Sequence, residues 1–212
     1  MFNGIRYSAA DCLLAACVVG ACLDSAQSTL IQFGSCNKQD LLNSSASIYA
    51  SITSVKSDVF IWLGDIVYTD EMNNRFLLSF RADDTDSVRQ KFTTWKRSDA
   101  NVKLENSTSL LMGVWDDHDF GINDGGTEHE FKTETQQIFL DYMSVPLDSP
   151  RRLRQGVYSS EIIGKAGERV RIILLDVRFH RDAIGSDGHV RIHPLSCLPQ
   201  RTLTTTNLGS IC

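Results

Sequence analysis

Residues 58–68 read DVFIWLGDIVY, a run of β-branched and aromatic side chains that ends in a Gly-Asp pair and, shortly after, a tyrosine. The apolar part of the run shows no polar alternation, which predicts a strand that is covered on both faces. Such strands are typical of α/β proteins, in which helices pack on both sides of a parallel sheet. The stretch therefore predicts an α/β fold and places Asp65 and Tyr68 just beyond the end of a buried strand.

The flanking sequence alternates between strand and helix patterns. Apolar runs predict further strands at Leu30–Cys36 and Ser109–Asp117, and residues 156–178 predict two strands joined by the turn GKAG. Helical spacing of apolar residues predicts three helices, with the apolar faces Leu41, Ile48 and Ile52; Val88, Phe92 and Trp95; and Ile138, Phe139 and Tyr142. Strands that alternate with helices indicate a layered α/β architecture.

The charge of the chain narrows its binding partners. The 212 residues carry a net charge of -5 and are 42% hydrophobic, which suits one sizeable globular domain. Lys and Arg are spread along the chain without forming a basic stripe, so a nucleic-acid-specific surface is not indicated. A small anionic substrate is compatible with this charge if metal ions supply the local positive charge.

The N-terminal segment differs from the rest of the chain. Residues 12–23 read CLLAACVVGACL, which is apolar throughout and short for a membrane span, as in the core of a signal peptide. We predict a signal peptide over residues 1–26, a secreted mature chain and no transmembrane span in it. The alternatives are a buried N-terminal helix and, in a bacterium, a lipid anchor on Cys22. Sequons at Asn43 and Asn106 agree with a eukaryotic secretory route.

The C-terminal residues 184–212 follow neither a helical nor a strand period and are rich in Thr, Ser, Gly and Pro. This composition predicts an irregular tail. The chain has six cysteines, of which Cys36, Cys197 and Cys212 lie beyond the predicted signal peptide. Cys197 and Cys212 could pair, but three cysteines do not make a disulfide framework.

Polar side chains collect at the carboxyl ends of the predicted strands. They are Cys36 in GSC, Asp65 and Tyr68 in GDIVY, the cluster from Asp116 to Asn123 in WDDHDFGIN, and Asp176 with Arg178 in LDVR. The strand ends of an open α/β sheet converge on the crevice where ligands bind. We therefore predict that these groups form one site.

Each group also has a structural interpretation. Cys36 alone would be an inert buried thiol, and Asp65 alone would cap or turn the chain after its strand. The Asp-Asp-His-Asp run alone would be a solvated loop, and Arg178 alone would pair with Asp176. Neighbouring carboxylates repel one another unless cations neutralise them, so the run favours a metal site.

The donor types indicate which metals the site would take. Carboxylate and amide oxygens suit hard ions such as Ca²⁺ or Mg²⁺, whereas a thiolate and a phenolate together suit a transition metal such as iron. A site with both donor sets would hold two different ions. Two adjacent ions can clamp a phosphoryl group and generate a hydroxide at neutral pH.

The motifs GSC, DVFIWLGDIVYTD, WDDHDFGIND and ILLDVR, in this order, resemble the PhoD-like alkaline phosphatase/phosphodiesterase branch of the calcineurin-like metallophosphoesterases. The match runs over residues 32–182, and WDDHD with a following Asn is its most specific part. The resemblance implies an α/β/β/α sandwich, of which residues 27–183 would form the N-terminal half. It also implies hydrolysis of phosphate mono- or diesters with Fe³⁺ and Ca²⁺, or other divalent metals.

The resemblance assigns metal ligands to the matching positions. Cys36, Asp65 and Tyr68 would bind iron, with Asp65 bridging to the second metal. Asp116 and Asn123 would hold the calcium, and Asn123 would also face the phosphate.

The same resemblance places His118 and Arg178 where catalytic or substrate-orienting groups are expected. Not all acids of the cluster need be ligands, and Asp117 and Asp119 would cap or orient the loop from Asp116 to Asn123.

Members of this family supply further ligands from a GDxH-type motif after the LDVR strand, and this motif does not follow Arg178 here. The resemblance therefore implies a C-terminally truncated domain. Missing ligands leave carboxylates unneutralised and sheet edges unpaired, so we expect a weakly folded chain with little or no activity. Substantial phosphate-ester hydrolysis that is lost in Asp65→Ala would contradict this expectation.

Two other functions stay open on the sequence. One is a non-catalytic secreted metal-binding or interaction protein derived from the same fold, which would bind calcium alone or no metal. The other is a Cys-dependent hydrolase that uses Cys36 and His118, although such a dyad does not need the surrounding carboxylates.

Overall fold

A computed structural model of the chain describes residues 3–7, 28–39, 42–74, 79–82 and 84–185. The strands are β1 (Asn3–Tyr7), β2 (Thr29–Gly34), β3 (Ser57–Leu63), β4 (Glu71–Asn74), β5 (Ser79–Arg81), β6 (Thr108–Val114), β7 (Ser159–Ile163) and β8 (Val170–Leu174). The α-helices are α1 (Leu42–Thr53), α2 (Thr85–Lys96), α3 (Asp99–Ser107), α4 (Asp117–Phe120) and α5 (Lys132–Tyr142), and a 3₁₀ helix covers Pro150–Arg152.

The main sheet has the strand order β1-β2-β3-β6, in which β2, β3 and β6 are parallel and β1 is antiparallel to β2. In the register of these strands, Ile61 lies opposite Phe33 on one side and Met112 on the other. The carboxyl ends of three neighbouring parallel strands therefore lie at the same edge of the sheet. This arrangement confirms the predicted α/β class and brings the loops after β2, β3 and β6 side by side.

The central strand β3 is buried as predicted. Its side chains from Val59 to Trp62 are at most 7% exposed. The Trp62 ring contacts Phe60 at a centroid distance of 5.1 Å and Trp95 of α2 at 6.5 Å. Burial of a large apolar side chain contributes roughly 1.5–3 kcal/mol, so this aromatic cluster stabilises the sheet that carries the loops.

The predicted helix faces are confirmed for α2 and α5, whose buried residues include Val88, Phe92 and Trp95 and, in α5, Ile138, Phe139 and Tyr142. The predicted face of α1 was wrong at one position, and its first predicted residue, Leu41, lies outside the described residues. Ile48 is 43% exposed, whereas Tyr49 and Ile52 are buried. The Tyr49 hydroxyl donates to Asn37 Oδ1 at 2.7 Å, and this buried bond favours burial of the tyrosine over its neighbour. Across the described residues, no helix is both long and apolar enough to cross a membrane.

The strands β7 and β8 form a separate antiparallel two-stranded sheet, as the predicted hairpin requires. Ile172 and Leu174 of β8 are buried and belong to the same hydrophobic core as the main sheet. Asp176 and Arg178 therefore reach the site from a second sheet, and not from the edge of the main one.

The described elements that were not predicted are β1, the β4–β5 hairpin, α3, the short helix α4 and the 3₁₀ helix. β1 falls within the segment predicted as a signal peptide, but the apolar residues 12–23 lie outside the described residues, so that peptide stays a prediction. Residues 186–212, with Cys197 and Cys212, also lie outside them. The start of α3 carried a readable signal, since the Ser98 side chain accepts the Asn101 N–H as an N-cap.

Candidate metal centre

The first group of site residues lies in the loops after β2 and β3. The Cys36 sulfur and the Tyr68 hydroxyl lie 3.7 and 3.5 Å from the same atom, Oδ2 of Asp65. The two loops are joined by backbone hydrogen bonds, from the N–H of Cys36 to the Gly64 carbonyl and from the N–H of Asn37 to the Asp65 carbonyl. The structure thus brings together the three residues predicted to bind iron, and Cys36 is exposed, not the buried thiol of the structural alternative.

The backbone of this corner is strained. Cys36 and Asp65 have φ values of 56° and 53°, in the left-handed region. Aspartate tolerates this region better than cysteine does, and such conformations cost on the order of 1–3 kcal/mol each and cluster at functional sites. Gly64 is required for a different reason: a Cβ there would lie 2.5 Å from the Cβ of Asp116. Only glycine lets the β3 and β6 loops approach so closely.

Tyr68 is fixed by a residue that the sequence did not single out. The Gln39 side chain donates to the Tyr68 carbonyl at 3.1 Å and accepts the Tyr68 N–H at 3.0 Å. This pair of bonds imitates a strand pairing and holds the tyrosine against Asp65. Gln39 lies in a polar stretch after β2, where no periodicity marks it.

Asp65, Asp117 and His118 form a cluster in which one potential ligand atom of each lies within 4.8 Å of the others. Asp65 is only 8% exposed. Its Oδ1 atom is buried and has no hydrogen bond of good geometry from the described residues, although the backbone N–H of His118 lies close enough to the carboxylate to lower its pKa slightly. A buried carboxylate oxygen without a donor is costly unless a cation meets it, so the donor set and its geometry fit a metal ion.

His118 is held by three consecutive residues of the β3 loop. Its Nδ1 atom lies 2.8 Å from both carboxylate oxygens of Asp70, and its ring stacks on Tyr68 with centroids 4.0 Å apart. The His118 carbonyl accepts hydrogen bonds from the N–H and the hydroxyl of Thr69. With Nδ1 directed at Asp70, Nε2 is the nitrogen left for a metal ion or substrate. Sequence reasoning missed Asp70, although it ends the quoted motif GDIVYTD.

The two adjacent acids Asp116 and Asp117 have different environments. Arg178 Nε lies 2.5 Å from Asp116 Oδ1, and Arg178 Nη2 lies 3.5 Å from Asp117 Oδ1. Asp117, which was predicted only to orient the loop, is the acid that joins the cluster with Asp65. It does orient the loop as well, because its Oδ2 accepts the N–H of Asp124 at 2.7 Å. The assignment of Asp116 as a calcium ligand stays a prediction.

The structural alternative for Arg178, pairing with Asp176, was wrong. The Asp176 carboxylate accepts the backbone N–H groups of Arg178 and Phe179 through Oδ1, and that of Val157 through Oδ2. It turns the chain after β8 so that the guanidinium can reach Asp116. Asn123 is exposed, and its amide donates to Asp124 Oδ2 at 3.0 Å, so its predicted metal and phosphate contacts stay predictions.

The Cys-dependent alternative receives no support from the contacts of its two residues. The sulfur of Cys36 faces a carboxylate, and Nδ1 of His118 faces Asp70. A thiol nucleophile requires a base within hydrogen-bond reach, and within the described part of the chain no hydrogen bond joins Cys36 to the imidazole.

Asp119 ties the β3 loop to the β6 loop and agrees with the orienting role predicted for it. Its carboxylate is fully buried and accepts the N–H of Val67 at 2.7 Å and that of Asp116 at 3.1 Å. Burial raises the pKa of Asp119 to about 8, and the backbone donors act in the opposite direction. Asp119 therefore holds the β3 loop and the β6 loop together next to the site.

In the metal-free site, bound protons offset the negative charge that a metal ion would otherwise neutralise. Burial raises the pKa of Asp65; the charge of His118 opposes this rise, and repulsion from Asp117 and Asp116 adds to it. Burial also raises the pKa of the Tyr68 hydroxyl, and the charge of Asp65 adds to this. Burial alone would lower the pKa of His118, but the hydrogen bond and charge of Asp70 outweigh it and raise that pKa. A bound cation inverts each preference, because it favours the deprotonated ligands.

These shifts predict how stability depends on pH. Asp65, Asp119 and His118 all have raised pKa values, so the folded protein keeps protons that the unfolded chain has released. Stability therefore falls as pH rises, and we expect the metal-free protein to unfold at a lower temperature at about pH 8 than at about pH 5. Added Mn²⁺ should reduce this difference, because it replaces the protons. Thermal unfolding followed by circular dichroism measures both effects, and a midpoint that rises with pH in the metal-free protein would contradict the assignment.

Comparison of the chain with protein-family models, curated proteins and solved structures gave no match.

Proposed function

We propose that this protein is a metal-dependent hydrolase of phosphate mono- or diesters, of the PhoD-like type that its motifs resemble. The observation that supports it most is the buried, unpartnered Oδ1 of Asp65 inside the cluster with Asp117 and His118. The other oxygen of the same carboxylate faces Cys36 and Tyr68. One aspartate thus lies between an oxygen-and-nitrogen donor set and a thiol-and-phenol donor set, which suits a bridge between two ions.

The two donor sets indicate two kinds of ion. Cys36 and Tyr68 with Asp65 would hold iron, and Asp65, Asp117 and His118 would hold a harder cation such as Ca²⁺. Predicted ligands Asp116 and Asn123 would complete the second set. Bound metal ions of this kind polarise a phosphoryl group and lower the pKa of a coordinated water.

The residues around the donor sets have roles of their own in this proposal. His118, whose Nδ1 faces Asp70, would present Nε2 to the harder cation, and Asp70 would fix the orientation of this ligand. Arg178 would bind a non-bridging phosphate oxygen with its planar guanidinium.

The finer architecture belongs to the same proposal. We take the β7–β8 sheet to be the start of the second sheet of an α/β/β/α sandwich. Two features support this: it is hydrogen-bonded separately from the main sheet, and its buried residues Ile172 and Leu174 join the same core.

The experiment that tests the function measures metals first and turnover second. Purified protein is loaded with iron and Ca²⁺, freed of excess metal, analysed for metal content and assayed with a chromogenic phosphate monoester and diester. We expect both metals to be retained, and slow hydrolysis that a chelator abolishes and re-added metal restores. Absence of both metals from the loaded protein would overturn the proposal.

The non-catalytic alternative is favoured by one observation, the ion pair between Arg178 and Asp116. An internal guanidinium can neutralise this acid without a second metal ion. A protein that binds one hard cation, retains no iron and shows no turnover in the same experiment would be this alternative.

A further inference from the structure

Arg178 forms ion pairs with two carboxylates, those of Asp116 and Asp117, at the edge of the cluster. The guanidinium contacts Asp116 Oδ1 at 2.5 Å and Asp117 Oδ1 at 3.5 Å. The side chain of Arg178 is 12% exposed, as is that of Asp117, and that of Asp116 is 35% exposed. Arg178 and Asp117 are therefore poorly screened by solvent, and within the described residues Arg178 forms an ion pair with each of the two acids.

One nitrogen of this guanidinium is left over. Arg178 Nη1 is buried, and no acceptor for it lies among the described residues. Buried N–H groups in proteins normally have an acceptor, so an unpaired one needs an explanation. A guanidinium whose Nε and Nη2 face carboxylates and whose Nη1 is unpaired is suited to an additional oxyanion.

Asp117 belongs to both arrangements. It contacts Arg178 Nη2 on one side and lies with Asp65 and His118 in the cluster on the other. A cation held by the cluster and the guanidinium therefore compete for the same negative charge. The ion pair of Arg178 with Asp117 therefore weakens cation binding, and a bound cation weakens that ion pair.

We propose that Arg178 is an internal counter-ion that couples cation binding to anion binding at this site. Without a cation, it neutralises Asp116 and Asp117. When a cation occupies the cluster, the guanidinium is released from these acids and holds a phosphate group. The inference rests on the proposed function in one respect, that the Asp65, Asp117 and His118 cluster binds a divalent cation.

This coupling has two measurable consequences. Loss of the Arg178 charge removes the competitor, so cation affinity rises. Phosphate, which draws Arg178 away from the acids, raises cation affinity in the wild type, and by linkage the cation raises phosphate affinity by the same factor. Without Arg178 this reciprocal effect is lost.

The test uses Mn²⁺ and inorganic phosphate as probes, with electron paramagnetic resonance to count free Mn²⁺. We expect Arg178→Gln to bind Mn²⁺ roughly 10-fold more tightly than the wild type in the absence of phosphate, a magnitude set by removal of one poorly screened charge. Millimolar phosphate should tighten Mn²⁺ binding several-fold in the wild type and leave it unchanged in Arg178→Gln. The matched control is Arg171→Gln, which removes the same charge from an exposed position on β8 and should behave as wild type.

The outcomes separate this inference from the proposed function. If Mn²⁺ binds to the wild type and Arg178→Gln with the same affinity and the same response to phosphate, the coupling is overturned and the metal site stands. If Mn²⁺ binds to neither, both are overturned. Should Arg178→Gln fail to fold, the wild-type titrations decide, since equal Mn²⁺ affinity with and without phosphate overturns the coupling.

Discussion

Replacement of Asp65 by asparagine is expected to weaken divalent-cation binding by at least about 100-fold and to abolish any phosphate-ester turnover. Mutation of a residue that only supports a metal ligand already lowers metal affinity roughly 10- to 100-fold. Asp65 contacts both donor sets, so its replacement should have a larger effect. Its Oδ2 faces Cys36 and Tyr68, and its Oδ1 is buried in the cluster without a partner. The amide of asparagine removes the negative charge and offers one oxygen in place of two. Titration with Mn²⁺ measures the loss.

The same variant should not destabilise the metal-free fold. Burial and the charges of Asp117 and Asp116 raise the pKa of Asp65, so a neutral side chain relieves repulsion in the folded state. Asparagine also accepts the left-handed backbone at this position, where φ is 53°, better than alanine would. We therefore expect an unchanged or higher unfolding temperature at about pH 8, where the wild-type carboxylate is most costly.

Loss of binding without loss of stability distinguishes a ligand from a structural residue. Asp141→Asn is the matched control, because Asp141 is exposed on α5 and pairs with Arg89 and Arg152. That variant should bind Mn²⁺ as the wild type does. Wild-type affinity in Asp65→Asn would remove the main support for the metal centre.

The parallel sheet and the Cys36, Asp65 and Tyr68 corner could be predicted because their causes are local. The unbroken run VFIW allows little other than a covered strand, and the Gly-Asp that follows marks its end. The ends of adjacent parallel strands lie at the same edge of a sheet, so the position of the loops after them follows directly. The face of α2 was readable for the same reason, since one helical period connects Val88, Phe92 and Trp95.

The residues that were missed depend on contacts between distant segments. Asp70 and Gln39 act through partners 48 and 29 positions away in the chain, His118 and Tyr68, and neither lies in a periodic pattern. Asp116 and Asp117 are the same residue type, so the sequence does not show which of them lies near Asp65. The position at which α4 begins decides this, and that position is known only from the structure. The sheet to which β8 belongs is likewise set by its partner strand and not by its own alternation.

Truncation of Asp119 to alanine is expected to lower the free energy of unfolding by about 3–5 kcal/mol, the largest single effect on stability that we predict at the site. The carboxylate is fully buried and accepts the N–H groups of Val67 and Asp116. Its loss leaves one buried and one part-buried donor unpaired, at a cost of up to roughly 1–3 kcal/mol each, and leaves a cavity as well. Urea denaturation monitored by tryptophan fluorescence measures the change.

Asp84→Ala is the matched control for Asp119→Ala. Asp84 also accepts a backbone N–H, that of Ser87 at 2.7 Å, but it caps α2 from an exposed position. Loss of an exposed N-cap costs about 1 kcal/mol, because water replaces the missing acceptor. Asp119→Ala should therefore be several times more destabilising, and where it remains folded it should also bind Mn²⁺ more weakly, since the loops of Asp65 and Asp117 are no longer tied together. Equal losses in the two variants would show that Asp119 does not connect the loops.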